Sequence, residues 1–210
     1  MSAMPDEVVL YTNPMSRGRI VRWMLEEVGC PYRTQVLAMD SLRSERFLDI
    51  NPMGKVPVIT HHGVAISETP AICAYLADAF PAAGLAPALD DPLRGRYLHA
   101  LFFAAGPLEA AVTARALGQE PSEEKSGFVG YGSVQRCLDE LERQVAQASP
   151  WLLGERFSAA DVYVGSQVLF GMYFKTIAPR PALAVYATRL RERAAWQRAA
   201  AADDALLPKD

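Results

Sequence analysis

The sequence predicts an α/β + all-α protein, in which a small α/β domain precedes an all-helical domain. Residues 8–79 alternate short β-like apolar runs with helical stretches, whereas residues 93–202 have helical patterns almost throughout. Between them, three prolines and a glycine in residues 80–92 rule out a helix or a central strand. We therefore expect an α/β domain at residues 1–80, a linker at 81–92 and an all-helical domain at 93–210.

The first three elements are a strand, a helix and a second strand. Residues 8–11 form a short apolar run that residues 12–14 interrupt. A helix follows Ser16 and ends at Gly29, and its apolar side chains recur on one face. Residues 32–37 have the composition of a second strand, and a strand-helix-strand order over about 30 residues is typical of a βαβ unit.

The rest of the N-terminal half predicts a small mixed sheet with helices on its faces. A short helix at residues 44–50 stops at an Asn-Pro pair, and strands follow at residues 56–60 and 64–66. A helix at residues 68–79 completes the order βαβαββα.

The second half predicts an all-α bundle. The expected helices span residues 93–117, 126–148, 183–193 and 196–202, and one more begins at Ser158. Ser158 and Asp161 occupy the positions of a capping box at that helix start, with Asp in place of the usual Glu.

Composition and charge exclude several function classes. A net charge of −3 disfavours a general nucleic-acid or membrane-surface binder, because such proteins present a basic stripe. No apolar run approaches the roughly 20 residues that span a bilayer, and residues 1–7 lack a signal-peptide pattern. The three cysteines and three histidines have neither disulfide-framework nor metal-site spacing, so we expect no metal and a reducing, cytoplasmic setting.

The turn between the first strand and the first helix is one candidate for chemistry. Ser16 stands at or just before the first helical turn, where unpaired N–H groups and the helix dipole stabilise an anion such as a thiolate. The spacing alone favours a plain N-cap instead. Arg17, Arg19 and Arg22 either steer an anion or form a solvated face that pairs with neighbouring glutamates, and the second interpretation is favoured for Arg22.

Two further candidates lie at the ends of later elements. If the peptide bond before Pro57 is cis, the backbone N–H and C=O of Val56 point outward and can pair with an extended peptide. If it is trans, Pro57 is an ordinary residue at the start of a strand. The Glu68 carboxylate is suited to bind an amine, and the hydroxyl and N–H of Thr69 are suited to bind a carboxylate. The alternative is that both residues simply cap the helix. Together with Ser16, these groups suit a short peptide that carries an α-amine, carboxylates and a thiol.

The sequence resembles the cytosolic glutathione S-transferases over nearly its whole length. The resemblance is carried by Leu10-Tyr11 followed by Ser16, by residues 51–59, by residues 67–75 and by residues 157–161. It implies a thioredoxin-like N-terminal domain that binds glutathione, and an all-helical C-terminal bundle that supplies the wall of a hydrophobic pocket. The bacterial, serine-using classes are the most similar.

The family's glutathione-binding positions fall on matching residues of this chain. The resemblance implies that the backbone of Val56, beside a cis Pro57, pairs with the cysteinyl part of glutathione. It also implies that Glu68 and Thr69 hold the γ-glutamyl end, with Thr69 standing where the family more often has Ser. Lys55 is placed to reach the glycine carboxylate.

The resemblance assigns catalysis to Ser16, which follows Tyr11 by five residues, as in classes whose serine hydroxyl hydrogen-bonds the thiolate. Arg17 stands where some bacterial classes have a cysteine, so cysteine-dependent chemistry is disfavoured. Arg17, Asn13 and Tyr11 stay open as alternatives to Ser16 for activating the thiol. The residues expected near the hydrophobic-substrate pocket are Tyr11, Phe102, Phe103 and Leu108.

The expected function is the conjugation of glutathione, as co-substrate, to small hydrophobic electrophiles. The resemblance implies a cytoplasmic homodimer that serves detoxification, with no nucleic-acid or membrane partner. The alternatives are a glutathione-dependent peroxidase or disulfide reductase on the same site, and a non-catalytic glutathione-binding module.

Overall fold

The computed structural model describes residues 7–207, which divide into two compact units. The N-terminal unit contains the residues up to Gly84 together with those from Arg193 onward, and the helical unit contains Leu85–Glu192. The sequence patterns assign the last segment to the helical domain at 93–210, whereas its contacts group it with the N-terminal unit. Residues 1–6, which make up most of the N-terminal segment in which we expect no signal peptide, lie outside the described residues.

The N-terminal unit is built on a four-stranded mixed sheet, which confirms the predicted βαβαββα order. Its strands are β1 (Val8–Thr12), β2 (Tyr32–Val36), β3 (Val58–His61) and β4 (Val64–Ile66), in the spatial order β2-β1-β3-β4. β1 is parallel to β2 and antiparallel to β3, and β4 is antiparallel to β3. Tyr11 pairs with Val58, and Ile59 pairs with Ile66. The end of β1, the start of β3 and the end of β4 therefore lie at one end of the sheet, which we call the site end.

Helices account for most of the remaining described residues. They are α1 (Gly18–Val28), α2 (Glu45–Leu48), α3 (Thr69–Ala79), α4 (Arg94–Phe103), α5 (Glu109–Ala116), α6 (Val134–Ala146), α7 (Ala159–Tyr173), α8 (Pro181–Arg191) and α9 (Ala194–Asp204). The first three and α9 belong to the N-terminal unit, and α4 to α8 form the helical unit. Within residues 7–207, no helix has both the length and the apolar composition needed to cross a bilayer.

Two helices of the helical unit differ from their predicted spans. The predicted helix at 93–117 is divided by a π-helical turn at Ala104–Leu108, where Pro107 lacks the N–H that an α-helical bond requires. The predicted helix at 126–148 begins only at Val134, after a 3₁₀ turn at Glu123–Phe128 and a glycine with φ of 66° at residue 132.

One face of α1 is apolar, and it packs as the sequence predicts. Ile20, Val21, Met24 and Leu25 are buried. Gly29 ends the helix with φ of 72°, and its N–H donates to the carbonyl of Leu25 at 2.9 Å.

Another face of α1 is joined to α9 by ion pairs. Within the described residues the pairs are Arg19–Asp204, Arg22–Asp203, Glu26–Arg198 and Glu27–Arg193. In both segments the arginines lie towards the N-terminal end and the acidic residues lie towards the C-terminal end. Because the paired residue numbers rise along α1 and fall along α9, the helices run in opposite directions and each charge meets its opposite.

Arg22 is the buried cation of this set, with 4% of its surface exposed. Its Nε donates to Asp203 Oδ1 at 2.8 Å, and its Nη1 donates to Thr34 Oγ1 at 3.1 Å. Burial opposes the charge of Arg22, but the hydrogen bond and the charge of Asp203 raise its pKa. The expectation of a solvated face is therefore wrong for Arg22. Its partner is 181 residues away along the chain, so no local pattern reveals it.

The start of α7 is held by a capping box, in agreement with the sequence pattern. Asp161 Oδ2 accepts hydrogen bonds from the N–H and the Oγ of Ser158, at 3.0 and 2.9 Å. Asp161 Oδ1 accepts from the N–H of Leu152 and from the hydroxyl of Tyr186, both at 2.8 Å. Burial raises the pKa of Asp161 to about 6, although these four bonds favour its ionised form.

We expect Arg22→Met to lower the free energy of unfolding by about 3–5 kcal/mol, because it leaves the Asp203 carboxylate buried without a counter-charge. The double variant Arg22→Met/Asp203→Leu recovers most of this loss, because it removes both charges. Chemical denaturation of the three proteins measures the difference.

Arg19→Met is the matched control, since its partner Asp204 is 60% exposed on its side chain and the pair is worth less than about 1 kcal/mol. An Arg22→Met variant no less stable than Arg19→Met would contradict the importance of the buried pair.

Candidate active site

The N-terminal unit brings three predicted segments to the site end of its sheet. β1 leads into the turn that holds Ser16, β3 follows Val56 and Pro57, and β4 leads into Glu68 and Thr69. β3 pairs antiparallel with both β1 and β4, so these three segments leave the sheet at the same end. Residues that are far apart in the sequence therefore share one face of the fold.

The Ser16 hydroxyl is held within its turn. Its Oγ donates to the carbonyl of Asn13 at 2.7 Å and accepts a hydrogen bond from the N–H of Gly18 at 3.0 Å. Arg17 is the N-cap residue of α1, so Ser16 stands just before the helix. To donate to another acceptor, the hydroxyl must rotate away from Asn13, while the Gly18 N–H still holds its oxygen.

Two of the alternative thiol-activating residues have structural contacts of their own. The Asn13 amide donates to the carbonyl of Leu37 and accepts from the N–H of Met15, each at 2.9 Å. These bonds commit the Asn13 side chain to holding the turn. Tyr11 is half-buried, with its ring centroid 6.3 Å from that of Phe47.

Gly18 and Thr12 position this turn, a role that the sequence patterns did not predict for either residue. A Cβ at Gly18 would overlap the Oγ1 of the fully buried Thr12 and lie 3.0 Å from Ser16 Oγ. Only a glycine therefore lets α1 start so close to the end of β1. The signal in the sequence is a glycine two residues after Ser16, at a helix start where a glycine has no propensity advantage.

The peptide bond between Val56 and Pro57 is cis, as expected for a backbone that presents Val56 outward. Asn51, which is buried, organises the preceding loop: its Nδ2 donates to the carbonyl of Lys55 at 2.8 Å, and its Oδ1 accepts from the N–H of Met53 at 3.2 Å. The Lys55 side chain is exposed. The sequence patterns assigned Asn51 no side-chain role, so its part in shaping this loop is a finding of the structure.

Glu68 has a strained backbone at the start of α3. Its φ is 66° and its ψ is 111°, and its side chain is exposed. A non-glycine residue in such a conformation costs on the order of 1–3 kcal/mol and is found most often at functional sites. Thr69, the first residue of α3, is buried next to it.

The arginines of α1 pair with carboxylates of the protein itself, whereas the anion-steering interpretation leaves them available to a ligand. Arg19 and Arg22 pair with carboxylates of α9, so that interpretation is wrong for these two residues. Arg17 and Lys55 are exposed.

The residues predicted for the hydrophobic pocket occupy different environments. Tyr11 belongs to the N-terminal unit, and the other three belong to the helical unit. Phe102 is 72% exposed on α4, Phe103 is half-buried with its ring stacked on His99, and Leu108 is fully buried. Phe102 and Phe103 thus offer accessible aromatic surface, whereas Leu108 is part of the core of its unit.

The protein's own thiols are poor nucleophiles. Burial raises the pKa of Cys73 and that of Cys30, and it raises the pKa of Cys137 to about 11. Within the described residues, no group of three or more His, Cys, Asp or Glu side chains is arranged to hold a metal ion.

Two domain families match the chain. The glutathione S-transferase N-terminal domain matches residues 15–79, and the glutathione S-transferase C-terminal domain matches residues 110–195. The chain belongs to the glutathione S-transferase superfamily. The two matches include the turn at Ser16, the cis-proline loop and the start of α3, as well as most of the helical unit.

Individual glutathione S-transferases are similar along nearly the whole chain. A glutathione S-transferase-like protein, OpS6, of Beauveria bassiana is 28% identical over 89% of this chain and 90% of its own length. A glutathione transferase of Methylococcus capsulatus superposes with a TM-score of 0.77 at 28% identity, covering 94% of this chain and 99% of its own. A sphingomonad glutathione S-transferase, solved in complex with glutathione, gives a TM-score of 0.75 at 29% identity over 93% and 98% of the two chains.

We expect Gly18→Ala to lower kcat/KM for glutathione conjugation by up to about 100-fold, because a Cβ there displaces the Ser16 hydroxyl. Adding Thr12→Ala removes the overlapping Oγ1 and restores part of the activity. Steady-state kinetics with a chlorinated nitrobenzene measures both effects.

Gly165→Ala is the matched control for steric destabilisation, because a Cβ there meets the side chain of Leu190 within the helical unit. An equal loss of activity in both alanine variants would show that Gly18 has no special effect on Ser16.

We expect Glu68→Gly to raise the free energy of unfolding by about 1 kcal/mol, because glycine adopts a positive φ without strain. The same change raises the KM for glutathione at least about tenfold, because the carboxylate that would bind an α-amine is lost. Thermal unfolding and steady-state kinetics test the two effects. Glu68→Gln, which keeps the strain and loses the charge, raises KM without the gain in stability. A Glu68→Gly variant with unchanged KM would contradict this role.

Proposed function

We propose that this protein conjugates glutathione to small hydrophobic electrophiles and that Ser16 is the residue that activates the glutathione thiol. The observation that carries the proposal is the shared position of the three predicted segments at the site end of the sheet. Membership of the glutathione S-transferase superfamily supports the same activity.

Thiol activation is a matter of stabilising an anion. A free thiol has a pKa of about 8.5, so most of it is protonated at neutral pH. In our proposal the Ser16 hydroxyl turns from the carbonyl of Asn13 to the glutathione sulfur, and the N-terminus of α1 adds its partial positive charge. Each unit by which the thiol pKa falls corresponds to about 1.36 kcal/mol of preferential binding of the thiolate.

The remaining groups at the site end suit the rest of the peptide. The backbone of Val56 pairs with the cysteinyl unit in the manner of an added strand. The Glu68 carboxylate binds the α-amine of the γ-glutamyl unit, and Thr69 at the start of α3 binds its carboxylate. Lys55, which is exposed, extends towards the glycine carboxylate.

The electrophile requires an apolar surface, for which we propose the exposed Phe102 and the half-buried Phe103 of the helical unit. Aromatic side chains bind apolar rings through area and favourable edge-to-face geometry. The thiolate attacks the electrophilic carbon, a thioether forms, and the leaving group departs with the bonding electron pair. We further propose a cytoplasmic homodimer that acts in detoxification, which the resemblance to the family supports.

We expect Ser16→Ala to lower kcat by about 10- to 100-fold with little change in the KM for glutathione, because it removes one hydrogen bond to a charged group. The pH-rate profile moves to higher pH, because the bound thiol ionises less readily. Turnover of a chlorinated nitrobenzene at several pH values measures both effects.

Ser41→Ala is a matched control that removes a surface hydroxyl bonded only to its local loop. Full activity in Ser16→Ala would show that another residue activates the thiol. Rapid turnover of hydroperoxides or mixed disulfides without thioether formation would favour the peroxidase or reductase, and tight glutathione binding without any turnover would favour a binding module.

A further inference from the structure

The helical unit contains a polar cavity that the proposed glutathione chemistry does not use. Its volume is about 250 Å³. The residues that line it are Arg96, His99, Ala100, Arg143, Gln144, Gln147 and Leu152. All of them belong to the helical unit.

Two helices form facing walls of this cavity. Arg96 and His99 are three residues apart on α4, which places them on one side of that helix. Arg143 and Gln147 are four residues apart at the end of α6, where they likewise share a face. Gln144 is a buried residue of α6, and its carboxamide adds to the lining of the cavity.

Two of the residues that line the cavity are apolar. Ala100 and Leu152 are both buried. A ligand in this cavity therefore meets guanidinium groups from two helices and a small hydrocarbon surface. That arrangement suits a short aliphatic spacer with a charged group at each end.

The cavity carries an excess of positive charge, with one internal counter-charge. Arg143 donates to both carboxylate oxygens of Glu140 at 2.7 Å, and Gln144 Nε2 donates to Glu140 Oε1 at 2.9 Å. These bonds, with the charges of Arg143 and His99, lower the pKa of Glu140. One carboxylate thus opposes two guanidinium groups.

We propose that this cavity is a binding site for a small aliphatic dicarboxylate. Arg96 on α4 binds one carboxylate and Arg143 on α6 binds the other, because the planar guanidinium fork matches carboxylate geometry. His99 and the carboxamides of Gln144 and Gln147 complete the polar contacts. Glu140 acts as an internal competitor that occupies Arg143 when no ligand does.

The cavity size sets the scale of the ligand. The volume of the cavity is about 250 Å³. It is below the approximately 300–1,000 Å³ typical of sites for drug-sized molecules. A four-carbon diacid therefore suits the cavity, whereas a nucleotide does not.

Calorimetric titration with succinate tests this proposal. The intact protein is first saturated with S-methylglutathione, so that the proposed glutathione site is occupied and does not contribute. Butyrate, which has the same number of carbons and one carboxylate fewer, binds at least about tenfold more weakly than succinate. Failure of succinate to bind the wild-type protein would overturn the proposal.

Substitutions separate a built site from general attraction to a charged surface. Arg96→Gln and Arg143→Gln each weaken succinate binding at least about tenfold. Glu140→Gln strengthens it several-fold, because it removes the opposing charge and frees Arg143. Arg136→Gln and Asp139→Asn make the same charge changes at positions of α6 that do not line the cavity, and they leave the affinity unchanged. Equal effects of the lining and control variants would overturn the proposal.

Discussion

The position of the Ser16 hydroxyl depends on how closely α1 approaches the end of β1. Gly18 allows this approach because a side chain there would overlap the buried Thr12. The N–H of Gly18 then holds the Ser16 oxygen at 3.0 Å, and Asn13 accepts its proton. A steric constraint in the backbone thus sets the place of the group to which we assign thiol activation, before any ligand contributes.

α9 stabilises the helix that this constraint positions. Its carboxylates and guanidinium groups pair with α1 along the helix, and the Arg22–Asp203 pair is buried. The arginines of α1 therefore bind the returning end of the chain instead of steering an anion. At the site end, the backbone N–H groups, the Ser16 hydroxyl and the exposed Lys55 are the donors that our proposal uses.

Much of the N-terminal unit can be predicted from local sequence. The apolar periodicity of α1 and its end at Gly29 follow from short-range patterns, whereas the cis bond before Pro57 was implied only by the resemblance to the family. The buried pairing of Arg22 could not be predicted, because it depends on a residue 181 positions away. The role of Gly18 also escapes prediction, because the overlap that excludes other residues exists only once α1 packs on β1. The predicted span of 93–117 passes over Pro107, the residue that marks the interruption of this helix in the sequence.

A crystal structure of the protein with bound glutathione is the most direct test of the role of Ser16 in thiol activation. In our proposal Ser16, whose oxygen is held by the Gly18 N–H, donates a hydrogen bond from its hydroxyl to the sulfur. We expect Ser16 Oγ to lie within hydrogen-bonding distance of the sulfur and no longer to donate to Asn13, while its bond from the Gly18 N–H is retained. A sulfur bonded to Tyr11 or to Arg17, with the Ser16 hydroxyl still donating to Asn13, would contradict the proposal.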